Sequence, residues 1–150
     1  KNADENHSSY YCAFRNYIYS FNQYMQFYKQ PSKIGKYKTY LKDRIENQET
    51  TIFLALDIKN NPLGFVLNYY SFSSVSLGKI IILNDLFVSD KYRKKGIAEQ
   101  LIRRTFNLAK EKGAVRVDLG TAKDNYSAQK LYKKIGFVKD EGFYAYSYKL

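Results

Sequence analysis

Cysteine and histidine are almost absent from this sequence, which has one residue of each type among 150. The single cysteine, Cys12, excludes an intramolecular disulfide and is typical of a protein kept in a reducing compartment. The only histidine, His7, lies nearby on a polar stretch. A cysteine that packs is therefore a better interpretation of Cys12 than a catalytic cysteine paired with histidine.

Long apolar runs are also lacking. No stretch of about 18 apolar residues occurs, so the sequence predicts no transmembrane helix. Residues 1–7 are polar and contain no hydrophobic region of a signal peptide, which together with the single cysteine predicts a cytoplasmic protein. A length of 150 residues with 45% hydrophobic residues suits one compact domain, residues 1–150, around one apolar core.

Acidic residues are few: 14 stand against 25 basic ones, which gives a formal net charge of +11. A basic surface can attract nucleic acid or another polyanion, or the lysines can be scattered over solvated helix faces. Basic residues are dense only in the segment 91–95, and no known nucleic-acid-binding motif occurs. Most of the positive charge is therefore better explained by lysines dispersed over the surface than by a nucleic-acid-binding site.

The periodicity of the apolar residues changes along the chain. A helix is predicted from an N-cap at Ser8 or Ser9 to just before Pro31, and a second helix contains Tyr37, Leu41 and Ile45. Further on, the pattern predicts strands at 51–56, 65–72, 79–88, 114–119, 137–138 and 144–150, and helices at 96–112 and 124–134. This order predicts an α+β fold of three layers, with a mixed, mostly antiparallel sheet flanked by helices on both faces.

The junction between the predicted strand 79–88 and the predicted helix 96–112 has the features of an anion-binding site. A helix N-terminus presents unpaired backbone N–H groups and a positive dipole end, which together bind a pyrophosphate. The small residues Gly96 and Ala98 let phosphates approach the backbone, and the basic residues Arg93, Lys94 and Lys95 add charge. Neither a P-loop nor a G-x-G-x-x-G fingerprint is present. Alone, the R-x-x-G-x-A pattern also fits a basic loop before an ordinary helix.

Two blocks in the right order carry a family resemblance. The first comprises residues 85–88 and 92–98, and the second is the N-x-x-A-x-x-x-Y-x-x-x-G-F segment at 125–137. In these blocks the sequence resembles the GNAT superfamily of N-acetyltransferases, most closely the branch of diamine and small-amine acetyltransferases. The resemblance implies the GNAT fold and acetyl-coenzyme A as cosubstrate, and no metal is predicted.

The resemblance also implies roles for coenzyme binding. A bulge would splay the strand before the turn, and the backbone of Leu86, Phe87 and Val88 would pair with the pantetheine arm and polarise the thioester carbonyl. The pyrophosphate would lie on the turn and helix start. Asn125 would contact the coenzyme arm, and its alternative role as a helix N-cap is compatible with that contact. The residues of the turn are Arg93, Lys94, Lys95, Gly96, Ile97 and Ala98.

Tyr132 matches the family tyrosine near the coenzyme sulfur, where a hydroxyl can protonate the leaving thiolate. Packing is the alternative for one of 16 tyrosines. Asp85 is the candidate general base, although Asn84 stands where the diamine branch commonly has glutamate. Asp85 can instead be a structural carboxylate or face the other side of the sheet.

The resulting prediction is transfer of an acetyl group from acetyl-coenzyme A to a primary amine of a small molecule, by direct attack in a ternary complex. Alternatives are a protein lysine or N-terminal acetyltransferase, a non-catalytic acyl-CoA sensor and a basic nucleic-acid-binding module. The family's N-terminal helices wall the acceptor site, which makes Tyr24, Tyr28 and Tyr37 candidate acceptor contacts, although a place in the core or at its rim is the favoured interpretation of each. Residues 144–150 are a candidate homodimer surface, with core packing as the rival interpretation.

Overall fold

The computed structural model describes the backbone of residues 3–150 and the side chains of residues 13–150. Residues up to Gly120 form one compact unit and residues 121–150 a second, and each is described by itself. The side chains of His7 and Cys12 lie outside the described residues, so a packing role for Cys12 stays a prediction. The assignment of 1–150 to a single domain also stays a prediction.

The first unit opens with two helices, α1 (Ala3–Phe27) and α2 (Ile34–Glu46). The predicted N-cap at Ser8 or Ser9 is wrong, because α1 already begins at Ala3. An N-cap contributes only about 1 kcal/mol, so a serine does not start a helix when the preceding residues also favour one. No helix in the described part of the chain has the length and apolar character needed to cross a membrane.

A four-stranded mixed sheet follows. Strands β1 (Thr50–Leu56), β2 (Pro62–Ser73) and β3 (Gly78–Val88) form an antiparallel meander. Helix α3 (Ile97–Glu111) then leads to β4 (Arg116–Leu119), which pairs parallel to β3, so the strand order is β1-β2-β3-β4. These elements confirm the predicted α+β architecture and the strand and helix assignments between residues 50 and 119.

Helices cover both faces of the sheet. Helices α1 and α2 pack on one face in an aromatic-rich core formed by Tyr17, Ile18, Phe21, Tyr37, Leu41, Phe65, Leu67 and Phe87. Helix α3 covers the other face, where the buried Thr105 hydroxyl donates to the buried Asn68 amide oxygen at 3.0 Å. Because this pair satisfies its own hydrogen bond, a polar group is tolerated beneath α3.

The second unit contains α4 (Tyr126–Ile135), which Gly136 ends in a left-handed conformation with φ 110°. The predicted strands at 137–138 and 144–150 are wrong, since the chain after Gly136 forms neither helix nor strand. Alternation of residue types predicts which face of a strand each side chain would occupy. A strand also needs a neighbouring strand as a backbone hydrogen-bond partner. Tyr144, Tyr146 and Tyr148 are about nine-tenths exposed, which also contradicts core packing of 144–150. Homodimerisation through this segment stays a prediction.

Candidate active site

The sheet opens between β3 and β4. Their ladder runs only from Ile80 paired with Arg116 to Leu83 paired with Leu119. In the part of the chain that the structure describes, residues 84–88 of β3 therefore have no β4 partner. An exposed strand edge can pair with an extended ligand through main-chain hydrogen bonds. This stretch includes Leu86, Phe87 and Val88, whose contact with the pantetheine arm stays a prediction.

A β-bulge lies where this open edge begins. Leu67 of β2 pairs with Asp85 and Asn68 pairs with Leu83, so Asn84 is the extra residue of β3. A bulge changes the direction of the following side chains. Asp85 consequently lies opposite Leu67 on the α1 face of the sheet and is only 9% exposed.

Asp85 is bound by neutral donors from two elements. The Tyr24 hydroxyl of α1 donates to its Oδ1, and the Asn84 side chain also donates to the carboxylate. Burial raises the pKa of Asp85, while these hydrogen bonds oppose the rise, and the net shift is upward. Burial and the hydrogen bond to Asp85 raise the pKa of Tyr24. A carboxylate in such surroundings accepts a proton more readily than an exposed aspartate.

The charge of Asp85 also raises the pKa of two further tyrosines. Burial and then the Asp85 carboxylate raise the pKa of Tyr17. The pKa of Tyr69 on β2 is also raised, by burial and the Tyr40 hydrogen bond of 2.7 Å first, and by Asp85 to a smaller extent. No ion pair to Asp85 occurs among residues 13–150. The carboxylate thus has hydroxyl and amide neighbours and an unneutralised charge when ionised.

The turn before α3 is shaped by its backbone. A short 3-10 segment, Asp90–Tyr92, precedes Lys94 and Gly96, which have left-handed φ values of 60° and 80°. Gly96 is the N-cap of α3, and a Cβ built there would meet no atom within 4 Å. The left-handed φ favours glycine at this position, and a close approach of phosphates to the Gly96 backbone stays a prediction. The first N–H groups of α3, including those of Ile97 and Ala98, have no acceptors within the helix.

The Arg93 side chain folds back onto this turn. Its Nε donates to the Val88 carbonyl at 2.9 Å, its Nη2 lies 2.7 Å from Asp90 Oδ1, and its Cζ lies 5.2 Å from the centre of the Phe27 ring. The Lys95 Nζ lies 5.7 Å from the centre of the Tyr92 ring. Arg93 consequently joins the end of β3 to the turn, and binding of the pyrophosphate by the backbone amides of this turn stays a prediction.

Asn125 and Tyr132 belong to the second unit. Asn125 is the N-cap of α4, and its Oδ1 accepts a hydrogen bond from the Ala128 N–H at 3.2 Å, which confirms its helix-capping role. Tyr132 is half-buried, and its ring centre lies 5.8 Å from that of Phe137 in an edge-on arrangement. Their contacts with the coenzyme stay predictions.

The three tyrosines expected at the acceptor site have different surroundings. Tyr24 contacts Asp85, whereas Tyr37 is buried and donates its hydroxyl to the Pro31 carbonyl, as a core residue does. Tyr28 is 51% exposed, with its ring centre 5.0 Å from that of Tyr24. A contact between Tyr24 and the acceptor stays a prediction. The sequence did not reveal the bond of Tyr24 to Asp85, because the two residues are 61 positions apart.

Comparisons with known proteins agree with this geometry. N-acetyltransferase YhfO of Bacillus subtilis (strain 168), itself uncharacterised, is 40% identical over 126 residues, which cover 84% of each chain. A thialysine N-epsilon-acetyltransferase of Caenorhabditis elegans is 30% identical over 124 residues, covering 81% of this chain and 76% of the relative. A crystal structure described as "a probable acetyltransferase" has a TM-score of 0.84 at 35% identity, covering 91% of each chain.

The family model of the acetyltransferase (GNAT) family matches residues 14–137. That range contains the open edge of β3, the turn before α3 and helix α4. The chain therefore belongs to the GNAT acetyltransferase family and is an acyltransferase of a family that uses acetyl-coenzyme A as cosubstrate.

Proposed function

We propose that the protein transfers the acetyl group of acetyl-coenzyme A to a primary amine of a small molecule, by direct attack in a ternary complex. The observation that carries the proposal is the buried, unneutralised Asp85 carboxylate at the start of the open β3 edge. The thialysine acetyltransferase relative supports a small amine as acceptor.

The chain offers a distinct surface for each part of the coenzyme. The open edge at Leu86, Phe87 and Val88 suits an extended arm that needs main-chain partners. The turn from Arg93 through Gly96 to the first amides of α3 suits the pyrophosphate. Asn125 keeps an amide NH₂ for the coenzyme arm, since its Oδ1 is used by the helix.

The chemistry assigns one proton to each of two side chains. Asp85 accepts a proton from the acceptor's ammonium, and the freed lone pair forms a C–N bond with the thioester carbonyl carbon. When the C–S bond breaks, Tyr132 donates its hydroxyl proton to the sulfur. The nitrogen releases its second proton to solvent as the amide forms, and solvent returns a proton to Tyr132 and takes the one held by Asp85. A thiol has a pKa of about 8.5 and tyrosine one of about 10, so this transfer lies within the reach of a hydrogen-bonded pair.

Charge restricts the acceptor. The formal net charge of +11 repels a polyamine at long range. At short range the Asp85 carboxylate attracts one ammonium group. Because Asn84 is neutral, this strand offers a single carboxylate, which suits an acceptor with one reacting amine and no second cationic group beside it.

Calorimetric titration with acetyl-coenzyme A, followed by a free-thiol assay over a panel of amines, tests the proposal. The panel contains small monoamines, thialysine, lysine, diamines, and peptides with a free lysine or N-terminus. We expect coenzyme binding and thiol release with a small monoamine or amino acid. No coenzyme binding would refute the proposal, and binding without release from any acceptor would favour a coenzyme sensor. Release with peptides alone would favour a protein acetyltransferase.

Two accompanying predictions concern the protein in the cell and in solution. We propose a cytoplasmic enzyme, from the single cysteine and the polar residues 1–7, and a homodimer, from the family resemblance. Fractionation of cells that express the protein tests the first, and analytical ultracentrifugation tests the second. The same measurement on a variant that lacks residues 144–150 distinguishes association through that segment from association through another surface.

A further inference from the structure

We propose that Tyr24 is a positioning residue whose hydroxyl holds the Asp85 carboxylate in the orientation in which it accepts the acceptor's proton. The inference deepens the proposed function and rests on it, because it takes Asp85 as the base. It concerns a residue of α1 that acts through Asp85 and does not itself exchange a proton with the acceptor.

The Tyr24 ring is held from several directions. Its centre lies 5.0 to 6.1 Å from the centres of four aromatic rings, which belong to Phe21, Tyr28, Phe65 and Phe87. Phe65 is fully buried and Phe87 nearly so, which fixes two of these neighbours within the core. A ring enclosed in this way has little rotamer freedom, so its hydroxyl occupies a defined position.

The hydroxyl reaches Asp85 at the point where the backbone is irregular. Asp85 follows the bulged residue Asn84, and the bulge places its side chain on the α1 face without fixing the plane of the carboxylate. The Tyr24 hydroxyl donates to Oδ1 and the Asn84 side chain supplies a second donor. An ionised carboxylate accepts several hydrogen bonds, so two fixed donors set its plane and leave accepting capacity for the acceptor.

The groups around Asp85 are neutral at pH 7. Tyr17 and Tyr24 face it from α1, Tyr69 from β2 and Asn84 from β3 itself. From α2, Tyr40 bonds to Tyr69, and the Arg44 charge lowers the pKa of Tyr69. With no ion pair among the described side chains to orient Asp85, the two neutral donors are what determines its direction.

The test is the variant Tyr24→Phe, which keeps the ring and removes the hydroxyl. A donated hydrogen bond stabilises an ionised carboxylate, so its loss raises the pKa of Asp85. The base must be ionised to act, and we therefore expect the acidic limb of the kcat/KM profile to move up by about one pH unit. Acetyl-coenzyme A affinity should change by less than about twofold, since the hydroxyl bonds to Asp85 and not to the turn.

Tyr19→Phe is the matched control. It makes the same change on the same helix, at a residue that is 59% exposed and whose hydroxyl accepts from Gln23 at 3.3 Å. We expect its pH profile to superimpose on that of the unmodified protein. A profile of Tyr24→Phe that also superimposes, or an equal shift in Tyr19→Phe, would overturn the proposal.

A readout that needs no catalysis separates this inference from the proposed function. Carbon-13 NMR of aspartate-labelled protein follows the Asp85 carboxyl through its titration, with Asp85→Asn identifying the signal. We expect a higher midpoint in Tyr24→Phe, and an unchanged midpoint would refute the positioning contact. A shifted midpoint without thiol release from any amine would instead refute the proposed function.

The proposal stays testable if Tyr24→Phe does not fold, as judged by the absence of a cooperative melt. The unmodified protein should then show a low-field hydroxyl proton resonance from Tyr24 that disappears in Asp85→Ala, which removes the acceptor oxygens. Absence of that resonance, or its persistence in Asp85→Ala, would show that the hydroxyl does not hold Asp85.

Discussion

The turn before α3 and the α1 face of β3 are neighbouring parts of the first unit, but they are built in different ways. The shape of the turn comes from its backbone conformation, since Lys94 and Gly96 are left-handed and Arg93 folds back onto Val88 and Asp90. The surroundings of Asp85 are formed instead by side chains from α1, β2 and β3. A binding surface made of amides tolerates changes in its side chains, whereas a site made of side chains depends on each of them.

Of the substitutions that test this difference, replacement of Asp85 should have the largest effect on turnover. Asp85→Asn keeps the shape and removes the base, so we expect turnover to fall by about 10²–10⁴-fold, the usual contribution of general acid–base catalysis. Coenzyme affinity should change little, because the turn binds through its own amides. Thiol-release kinetics and calorimetry measure the two quantities. Retained turnover would assign Asp85 a structural role.

Replacement of Tyr132 tests the second unit in the same manner. Tyr132→Phe removes the proton donor for the leaving sulfur and keeps the ring that packs edge-on against Phe137. We expect turnover to fall by roughly 10²-fold with coenzyme affinity nearly intact, at the lower end of what a general acid contributes. The same kinetic and calorimetric measurements apply, and unchanged turnover would leave Tyr132 as a packing residue.

A pair of substitutions in the turn tests the role of the backbone. Gly96→Val places a β-branched residue at a φ of 80°, where left-handed backbone costs about 1–2 kcal/mol, so coenzyme affinity should fall roughly tenfold. Lys95→Ala removes a charge and leaves the amides, so we expect a loss of only about twofold to threefold. Titration with acetyl-coenzyme A compares them. A larger loss in Lys95→Ala would show that side-chain charge dominates.

The smallest expected effect concerns stability against pH. Because the folded-state pKa of Asp85 is raised, the native state holds this proton more tightly than the unfolded state does. This residue's contribution to stability is therefore present below its ordinary pKa of about 3.9 and is lost as pH rises through the raised value. We expect Asp85→Asn to gain stability relative to the unmodified protein as the pH rises across that window. Denaturant unfolding at several pH values measures it, and a constant difference would contradict the raised pKa.

Local patterns predicted much of the fold because they report local physics. The apolar runs of β1 to β3 and the helical periodicity of α3 agree with the structure to within a few residues. The segment 144–150 has an equally clear alternation and forms no strand. The difference is that β1 to β3 have backbone partners in the described chain, and a pattern in one segment contains no information about its partner.

The candidate site divides in the same way. Gly96 and the basic turn were recognisable from a short stretch of sequence, since a helix N-cap is a local structure. The direction of Asp85 was not, because it depends on which residue of β3 forms the bulge opposite Leu67 and Asn68. The Tyr24 contact joins residues 61 positions apart, and no local signal marks one tyrosine among 16 as its donor.

The sequence by itself determined the family, the order of the elements as far as α4 and the glycine-containing basic turn, because two motif blocks and helix and strand periods are properties of contiguous residues. The tertiary structure alone decided that Asp85 lies buried on the α1 face, bonded to Tyr24 and without a counter-ion among the described side chains. The physical reason is that burial and hydrogen bonding depend on which distant groups the packed sheet and helices bring together, and those contacts set the pKa of the carboxylate.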